Sequence, residues 1–145
     1  MSNEQYEVTA DIPIRFRDLD AMGHVNNSVF ATYLEMARVE YYRQIVGIKN
    51  PTDFDMVIAH VSIDYLAPIH MDDAVTASIR VGDIGQTSFV FEYVLFDRHT
   101  GIPYARARSV QVGYDFEKEQ KKPIGTWKEQ VARFKAERLG PEAIK

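Results

Sequence analysis

The residues whose types and spacing best suit chemistry lie in one polar loop, residues 18–27. Asp18 and Asp20 stand two positions apart, His24 follows, and a predicted helix begins where the loop ends. Unpaired N–H groups at a helix start carry roughly half a positive charge. A carboxylate there can attack an acyl carbonyl or deprotonate an attacking water, while the N–H groups stabilise the oxyanion. An acyl thioester suits this chemistry because a thiolate leaves readily.

The same residues have structural interpretations that the sequence leaves open. Asp18 and Asp20 are typical turn formers or caps, and His24 beside Gly23 is typical of a turn. The two carboxylates and His24 match no strong metal-ligand spacing, so we predict no metal. Ser28 lacks a Gly-x-Ser-x-Gly setting, which weakens a serine-hydrolase interpretation. The histidines that lie apart in strand and turn positions are interpreted as incidental, namely His60, His70 and His99.

The loop must be positioned by the elements on either side of it. Loose alternation of apolar residues predicts a strand over 6–17, and spacings of three and four predict a helix over 28–46. Asn26, Asn27 or Ser28 can cap that helix at its start, and Gly47 ends it.

The rest of the chain reads mainly as strands. Period-two alternation begins at residue 56 and predicts strands over 61–65, 75–81, 89–95 and 102–114, with turns at 82–85 and 97–101. Residues 127–139 predict a surface helix that rests on the sheet through Trp127, Val131 and Phe134. One long helix against about five strands leaves sheet edges, so we expect an oligomer.

Length and composition bound the classes of protein. The 145 residues fit one domain, 1–145. The absence of cysteine excludes a disulfide scaffold and a thiolate nucleophile, and it suits a reducing compartment. A net charge of −4 argues against a nucleic-acid partner, and no apolar run of about 18 residues predicts a membrane span. We expect a soluble cytoplasmic protein.

The loop also carries a resemblance to a known family. Residues 15–27 and the following Tyr33-Leu34-Glu35-Met36-Ala37-Arg38 resemble the 4-hydroxybenzoyl-CoA thioesterase family, a branch of the hotdog-fold acyl-CoA thioesterases. The resemblance extends to residues 63–69 and 85–89, and it covers about 8–125. It implies an α+β hotdog fold, in which a curved antiparallel sheet of about five strands wraps one long central helix.

The resemblance also implies an activity and the residues that perform it. Asp20 would be the catalytic carboxylate of an acyl-CoA hydrolase, the backbone N–H of Asn27 or Ser28 would polarise the carbonyl, and His24 would assist. We assign substrate contacts to Gly23, Ser28, Tyr33, Thr87 and Ser88. No cofactor is implied, and the active sites of a homodimer or homotetramer would lie at the subunit interface.

Two departures from the family pattern bear on the substrate. Ala21 stands where one branch has a proline, and Asn27 stands where that branch commonly has an aromatic residue. These departures favour an aliphatic acyl group over the aromatic one in the family's name.

Two other functions stay open on the sequence. A hotdog hydratase or dehydratase would also use a carboxylate and a histidine, but it would release no free thiol from a saturated acyl-CoA. An acyl-CoA-binding module would keep the fold without turnover, and an Asp20→Asn substitution would then change no activity.

Overall fold

The computed structural model of the chain describes residues 5–47 and 55–140. The described elements, in chain order, are strand β1 Val8–Ile12, helix α1 Phe30–Val46, strands β2 Met56–Tyr65, β3 Val75–Ile84, β4 Ser88–Asp97, β5 Pro103–Asp115 and β6 Gln120–Lys121, and helix α2 Trp127–Leu139. Two short 3₁₀ turns, Phe16–Asp18 and Asn27–Val29, lie between β1 and α1.

The strands form one antiparallel sheet that wraps around α1. Its order is β1-β3-β4-β5-β2, with the two-residue β6 paired to β5. This arrangement agrees with the predicted sheet of about five strands around one long helix.

The core lies between α1 and the concave face of the sheet. Tyr33, Leu34 and Ala37 of α1 are buried at helical spacing, as the apolar periodicity predicted. Tyr41 meets Phe91 of β4 edge to face, with ring centroids 5.0 Å apart. These contacts fix α1 against the sheet, and so they fix the position of the loop that precedes it.

The second helix packs as its sequence predicted. Trp127, Val131 and Phe134 of α2 are buried. The Trp127 ring lies 5.0 Å from that of Phe89 in the sheet, and Phe134 contacts Tyr41 of α1. Neither α1 nor α2, the helices within the described ranges, has the length and apolarity to cross a membrane.

Several predicted boundaries were wrong, among them the start of β2, which was predicted at residue 61 and lies at Met56. The first strand ends at Ile12 because Pro13 has no N–H to donate to the ladder, and Phe16 beyond it is 82% exposed. The long helix begins at Phe30, after a 3₁₀ turn that occupies the predicted first positions. Strand β3 continues to Ile84 through an irregular register, so the turn follows residue 84 instead of beginning at 82.

Strand β2 forms one edge of the sheet and leaves apolar side chains in the open. Its register pairs Ile58, Val61 and Tyr65 with β5 residues that are buried on the concave side. Because side chains alternate between the faces of a strand, these three lie on the same side as α1. They are nevertheless 44%, 41% and 47% exposed.

Candidate functional site

Three backbone hydrogen bonds hold the loop between β1 and α1 in place. The Asn26 N–H donates to the Asp18 carbonyl at 2.8 Å, and the Asp20 N–H donates to the His24 carbonyl at 2.7 Å. The Val25 N–H donates to the Ile69 carbonyl of the β2–β3 connection at 2.8 Å. The loop is therefore a closed turn that is attached to a second, distant segment.

Asp18 is the buried carboxylate of the loop. Its side chain is 1% exposed, and it accepts hydrogen bonds from the Arg15 N–H at 3.0 Å and from the Tyr33 hydroxyl at 2.7 Å. The Arg15 guanidinium adds an ion pair at 2.9 Å. Burial raises the pKa of Asp18, but these bonds outweigh it and hold the pKa below its ordinary value. Asp18 is therefore a structural anchor of the loop.

Tyr33 of α1 supports Asp18 through the hydrogen bond that its hydroxyl donates. The ring has no exposed surface, and burial together with the hydrogen bond to Asp18 raises the pKa of its hydroxyl. A side chain in this position does not line an open pocket. Its hydroxyl supports Asp18 from within the core, and the assignment of Tyr33 as a substrate contact stays a prediction.

Asp20 lies on the other side of the turn and is exposed. One carboxylate oxygen, Oδ1, accepts the Met22 N–H at 2.9 Å and the His24 N–H at 3.2 Å. The other oxygen, Oδ2, makes no hydrogen bond to any residue in the described ranges. The two backbone bonds orient the carboxylate and leave Oδ2 available to a ligand or a water.

Among the described residues, the helix start presents one backbone donor without a hydrogen-bond partner. Asn26 caps the turn, because its side-chain oxygen accepts the Ser28 N–H at 3.0 Å and the Ser28 hydroxyl at 2.9 Å. The Asn27 N–H makes no hydrogen bond within residues 5–47 and 55–140. Of the two predicted oxyanion donors, Asn27 therefore has its N–H unengaged, whereas Ser28 has both of its donors occupied by the cap.

A pocket of about 260 Å³ brings the candidate residues together. It is lined by Asp20, His24, Val25, Asn27, Phe30, Tyr65, Leu66, Ala67 and Pro68. The Tyr65 hydroxyl donates to the Asn27 carbonyl at 3.1 Å, and its ring meets Phe30 edge to face at 5.0 Å. The end of β2 thus closes the pocket against the head of α1.

His24 is half-buried in this pocket, next to a second histidine. Its ring lies 4.8 Å from the ring of His70, with an angle of 88° between the planes. The two residues also form an isolated β-bridge. Three of the predicted catalytic residues, Asp20, His24 and Asn27, therefore line one cavity.

The remaining predicted contacts lie elsewhere. Gly23 makes the turn with φ of 80° and donates its N–H to the Asp20 carbonyl at 3.1 Å. Thr87 and Ser88 lie at the β3–β4 connection, where Ser88 pairs with Val112 of β5. Tyr65 at the pocket pairs with Ala105, which is seven residues and about 23 Å along β5 from Val112.

The sequence interpretation missed the far wall of the pocket and the histidine pair. Tyr65, Leu66, Ala67 and Pro68 belong to a run that carries the family resemblance, and that run was the available signal. His70 gave no comparable signal, since its contact with His24 joins residues that are far apart in the chain. Within the described ranges, no three His, Asp or Glu side chains are grouped to hold a metal ion.

A second pocket, of about 270 Å³, lies farther along the same side of the molecule. It is lined by Glu35, Arg38, Val39 and Tyr42 of α1, by Met56, Val57 and Ile58 of β2, and by Gln111. None of the predicted site residues lines it.

Known proteins share this fold and define its class. The chain matches the model of the thioesterase-like superfamily over residues 14–135. A thioesterase from Thermus thermophilus, crystallised with coenzyme A and Zn, is 30% identical with a TM-score of 0.79, over 90% of this chain and 96% of that chain. Slr0204 of Synechocystis, a 1,4-dihydroxy-2-naphthoyl-CoA thioesterase, shares the fold at 19% identity with a TM-score of 0.76, over 85% and 93%.

One sequence relative is a plant enzyme. The chloroplastic acyl-acyl carrier protein thioesterase ATL3 of Arabidopsis thaliana is 25% identical over 117 residues, which are 78% of this chain and 60% of the plant protein. The sheet around α1 is the hotdog arrangement, and the predicted fold is confirmed. Because the family model covers most of its length, the chain belongs to the thioesterase-like superfamily. It is a hydrolase that acts on thioesters.

Proposed function

We propose that the protein is a single-domain hydrolase of acyl-CoA, with Asp20 as the catalytic carboxylate and the Asn27 N–H as the oxyanion donor. The observation that carries the proposal is the shared pocket. Asp20 and Asn27 line the same cavity of about 260 Å³, and no residue in the described ranges bonds either Asp20 Oδ2 or the Asn27 N–H. A thioester carbonyl between them would meet a nucleophile or base on one side and a donor on the other.

The reaction can take either of two routes at this geometry. As a general base, Asp20 removes a proton from a water, and the resulting hydroxide attacks the carbonyl carbon. As a nucleophile, Oδ2 attacks directly, and water then cleaves the acyl-aspartyl anhydride. In both routes the carbon–sulfur bond breaks, the thiolate of coenzyme A takes up a proton, and a free carboxylic acid remains.

His24 is the assisting residue in this proposal. It lines the pocket with Asp20, and its backbone N–H donates to Asp20 Oδ1, the carboxylate oxygen that also accepts the Met22 N–H. Its ring can therefore contact the attacking water or the leaving group from beside Asp20. We expect the loss of its ring to lower kcat by less than the loss of the Asp20 charge.

The acyl group is proposed to be aliphatic. Phe30, Tyr65 and Leu66 give the pocket an apolar side. Ile58 and Val61 continue an apolar strip along the concave face of β2, towards the second pocket. A flexible acyl chain could lie along this strip. Each Å² of apolar surface that it removes from water would contribute about 25 cal/mol to binding.

The exposed edge of β2 supports a homodimer. A ten-residue edge strand with open apolar side chains is a liability unless another strand covers it. In a two-fold dimer, β2 would pair antiparallel with its copy, so each Tyr65 end would lie beside the partner's Met56 end. Thr87 and Ser88 lie on the Met56 side of the sheet, since Ser88 and Met56 pair with neighbouring residues of β5.

This arrangement would bring Thr87 and Ser88 towards the pocket of the second copy. They are too far along β5 to reach the acyl group in their own copy. We therefore propose that they contact the coenzyme A part of a substrate bound at the partner's pocket.

The lack of cysteine in the chain suits a reducing cytoplasm, which we propose as its compartment.

A hydrolysis screen tests the proposed function. The wild-type protein would be mixed with saturated acyl-CoAs of increasing length, with benzoyl-CoA and with one acyl carrier protein thioester, and free thiol would be measured with a thiol reagent. We expect thiol release from CoA esters, faster for aliphatic than for aromatic acyl groups. Release from the carrier protein alone would contradict the choice of coenzyme A, and no release would contradict the hydrolase.

Light scattering tests the proposed dimer. The wild-type chain is expected at twice its 16.6 kDa mass. A Val61→Lys variant would place a charge in the proposed strand pairing and is expected to shift the mass towards the monomer. A Thr9→Lys variant on β1, at the other edge of the sheet, is the matched control because it adds the same charge at an exposed position. A monomeric wild-type protein would contradict the dimer.

A further inference from the structure

We propose that His70, held by Asp73, positions the His24 ring in the active-site pocket. The inference rests on the proposed function, because it concerns how the assisting histidine is held beside Asp20. It assigns a role to a residue whose sequence context indicated none.

The backbone brings the two histidines together from distant parts of the chain. The Val25 N–H donates to the Ile69 carbonyl at 2.8 Å, and His24 forms an isolated β-bridge with His70. The catalytic loop is thereby attached to the connection between β2 and β3. The same connection supplies Leu66, Ala67 and Pro68 to the pocket wall, so both segments shape the site.

The ring of His70 is the side-chain neighbour that orients His24. The centroids lie 4.8 Å apart and the planes cross at 88°, an edge-to-face contact. Neither ring nitrogen of His24 has a hydrogen-bond partner among the described residues. The backbone therefore fixes where the His24 side chain begins, and contact with the His70 ring limits how far it can rotate.

His70 is itself held in place. Its N–H donates to Asp73 Oδ2 at 2.8 Å, and its Nδ1 lies 3.4 Å from the same oxygen. The Asp73 N–H returns a bond to the His70 carbonyl at 3.1 Å. This small turn sets the direction of the His70 ring although half of that ring is exposed. Asp73, His70 and His24 thus form a chain of contacts that ends in the pocket.

A double-mutant cycle tests this role. We would measure kcat and KM on one saturated acyl-CoA for His70→Ala, His24→Ala and the double variant. A misplaced catalytic group lowers the rate of the chemical step, so we expect His70→Ala to lower kcat about tenfold with little change in KM. Because His70 acts through His24, the substitution should have no further effect in the His24→Ala background.

Two further variants separate positioning from a general loss of structure. His70→Phe keeps an aromatic edge against His24 and should recover most of the lost kcat. His99→Ala removes an exposed histidine from the β4–β5 turn and should leave kcat unchanged. The proposal is overturned if His70→Ala lowers kcat equally in both backgrounds, if it has no effect, or if the phenylalanine fails to restore the rate.

A spectroscopic readout keeps the test independent of turnover. The carbon-bound protons of the His24 ring would be followed by NMR, since the neighbouring ring shifts their resonances. We expect those resonances to move in His70→Ala and to return towards their positions in His70→Phe. Unchanged resonances would overturn the contact. If Asp20→Asn kept full activity while this cycle behaved as expected, the role of Asp20 would fail and the positioning of His24 would stand.

Discussion

The 3₁₀ turn that carries Asp18 and the open turn that carries Asp20 are separated by one residue, yet they surround their carboxylates differently. Asp18 is buried between Arg15 and Tyr33, and both of its oxygens are bonded. Asp20 is exposed at a pocket, and its bonds come from backbone N–H groups to one oxygen. The first carboxylate holds the loop, and the second lines a pocket where we propose that the substrate binds.

The comparison also shows how a shifted pKa should be interpreted. The lowered pKa in this loop belongs to Asp18, where bonds from Arg15 and Tyr33 outweigh the effect of burial. Structural ion pairs shift pKa values as active sites do, so the shift alone does not identify a catalytic group. Access to a pocket and an oxygen that no described residue bonds are the grounds on which we propose Asp20 as the catalytic carboxylate.

The largest effect should come from the exposed carboxylate. Asp20→Asn keeps an oxygen for the Met22 and His24 N–H groups but removes the charge. General-base or nucleophilic catalysis by a positioned carboxylate contributes about 10²- to 10⁴-fold, so we expect kcat to fall about 10³-fold. The melting temperature should stay close to that of the wild-type protein. Steady-state thiol release and thermal unfolding would measure the two quantities.

Asp83→Asn is the matched control for that substitution. Asp83 is another exposed aspartate, near the end of β3, and it lines no described pocket. Its loss should leave kcat unchanged. Equal activity of the Asp20→Asn and Asp83→Asn variants would remove the distinction between Asp20 and an ordinary surface carboxylate.

The buried carboxylate should show the opposite behaviour. Asp18→Asn weakens charge-assisted bonds to Arg15 and Tyr33, which are worth about 2 to 3 kcal/mol together. We expect the free energy of unfolding in urea to fall by about that amount. The kcat of the folded enzyme should fall far less than in Asp20→Asn. A fully stable Asp18→Asn variant with no activity would reverse our assignment of the two residues.

Tyr33→Phe tests the structural role of Asp18 by removing the hydroxyl that donates to its carboxylate. It removes one bond to a buried carboxylate, so we expect a loss of about 1 to 2 kcal/mol in unfolding free energy. KM should not change, because the ring has no exposed surface. Tyr104→Phe removes a similar bond to the half-exposed Asp97, at 2.8 Å, and should cost less. A raised KM in Tyr33→Phe would instead support its predicted role as a substrate contact.

The smallest effect should appear in the pH dependence of stability. A carboxyl whose native pKa is lowered contributes stability above its unfolded pKa of about 3.9, and the contribution is lost as the pH falls through the native value. The difference in unfolding free energy between wild type and Asp18→Asn should therefore be constant near neutral pH and narrow below about pH 4. Urea titrations from pH 7 to pH 3 would measure it, and a difference that widened in acid would contradict the lowered pKa.

Regular elements of this fold were predictable because their patterns are local. Residues 127–139 carry apolar side chains at helical spacing, and α2 has those bounds. Strand β1 was predicted too long because Ile14 and Phe16 continue the alternation beyond Pro13. The strand ends because Pro13 has no backbone N–H to donate, and the alternation of apolar side chains carries no information on backbone donors.

The site was predictable only in part, for a different physical reason. Asp18 and Asp20 are the same residue type in the same loop, so the sequence does not distinguish them. The structure distinguishes them because the Tyr33 hydroxyl, from the next helix, donates to Asp18. The contact between His24 and His70 depends on a bond between Val25 and Ile69, from another part of the chain. Such contacts arise from tertiary packing, so no local pattern predicts them.

A crystal structure with a non-hydrolysable acyl-CoA analogue would test directly whether Asp20 and the Asn27 N–H meet the same carbonyl group. We expect the carbonyl carbon about 3 to 3.5 Å from Asp20 Oδ2, or one bridging water away from it. The carbonyl oxygen should lie about 2.7 to 3.1 Å from the Asn27 nitrogen. A carbonyl bound instead in the pocket beside Arg38, or turned away from both groups, would contradict the proposed roles of Asp20 and Asn27.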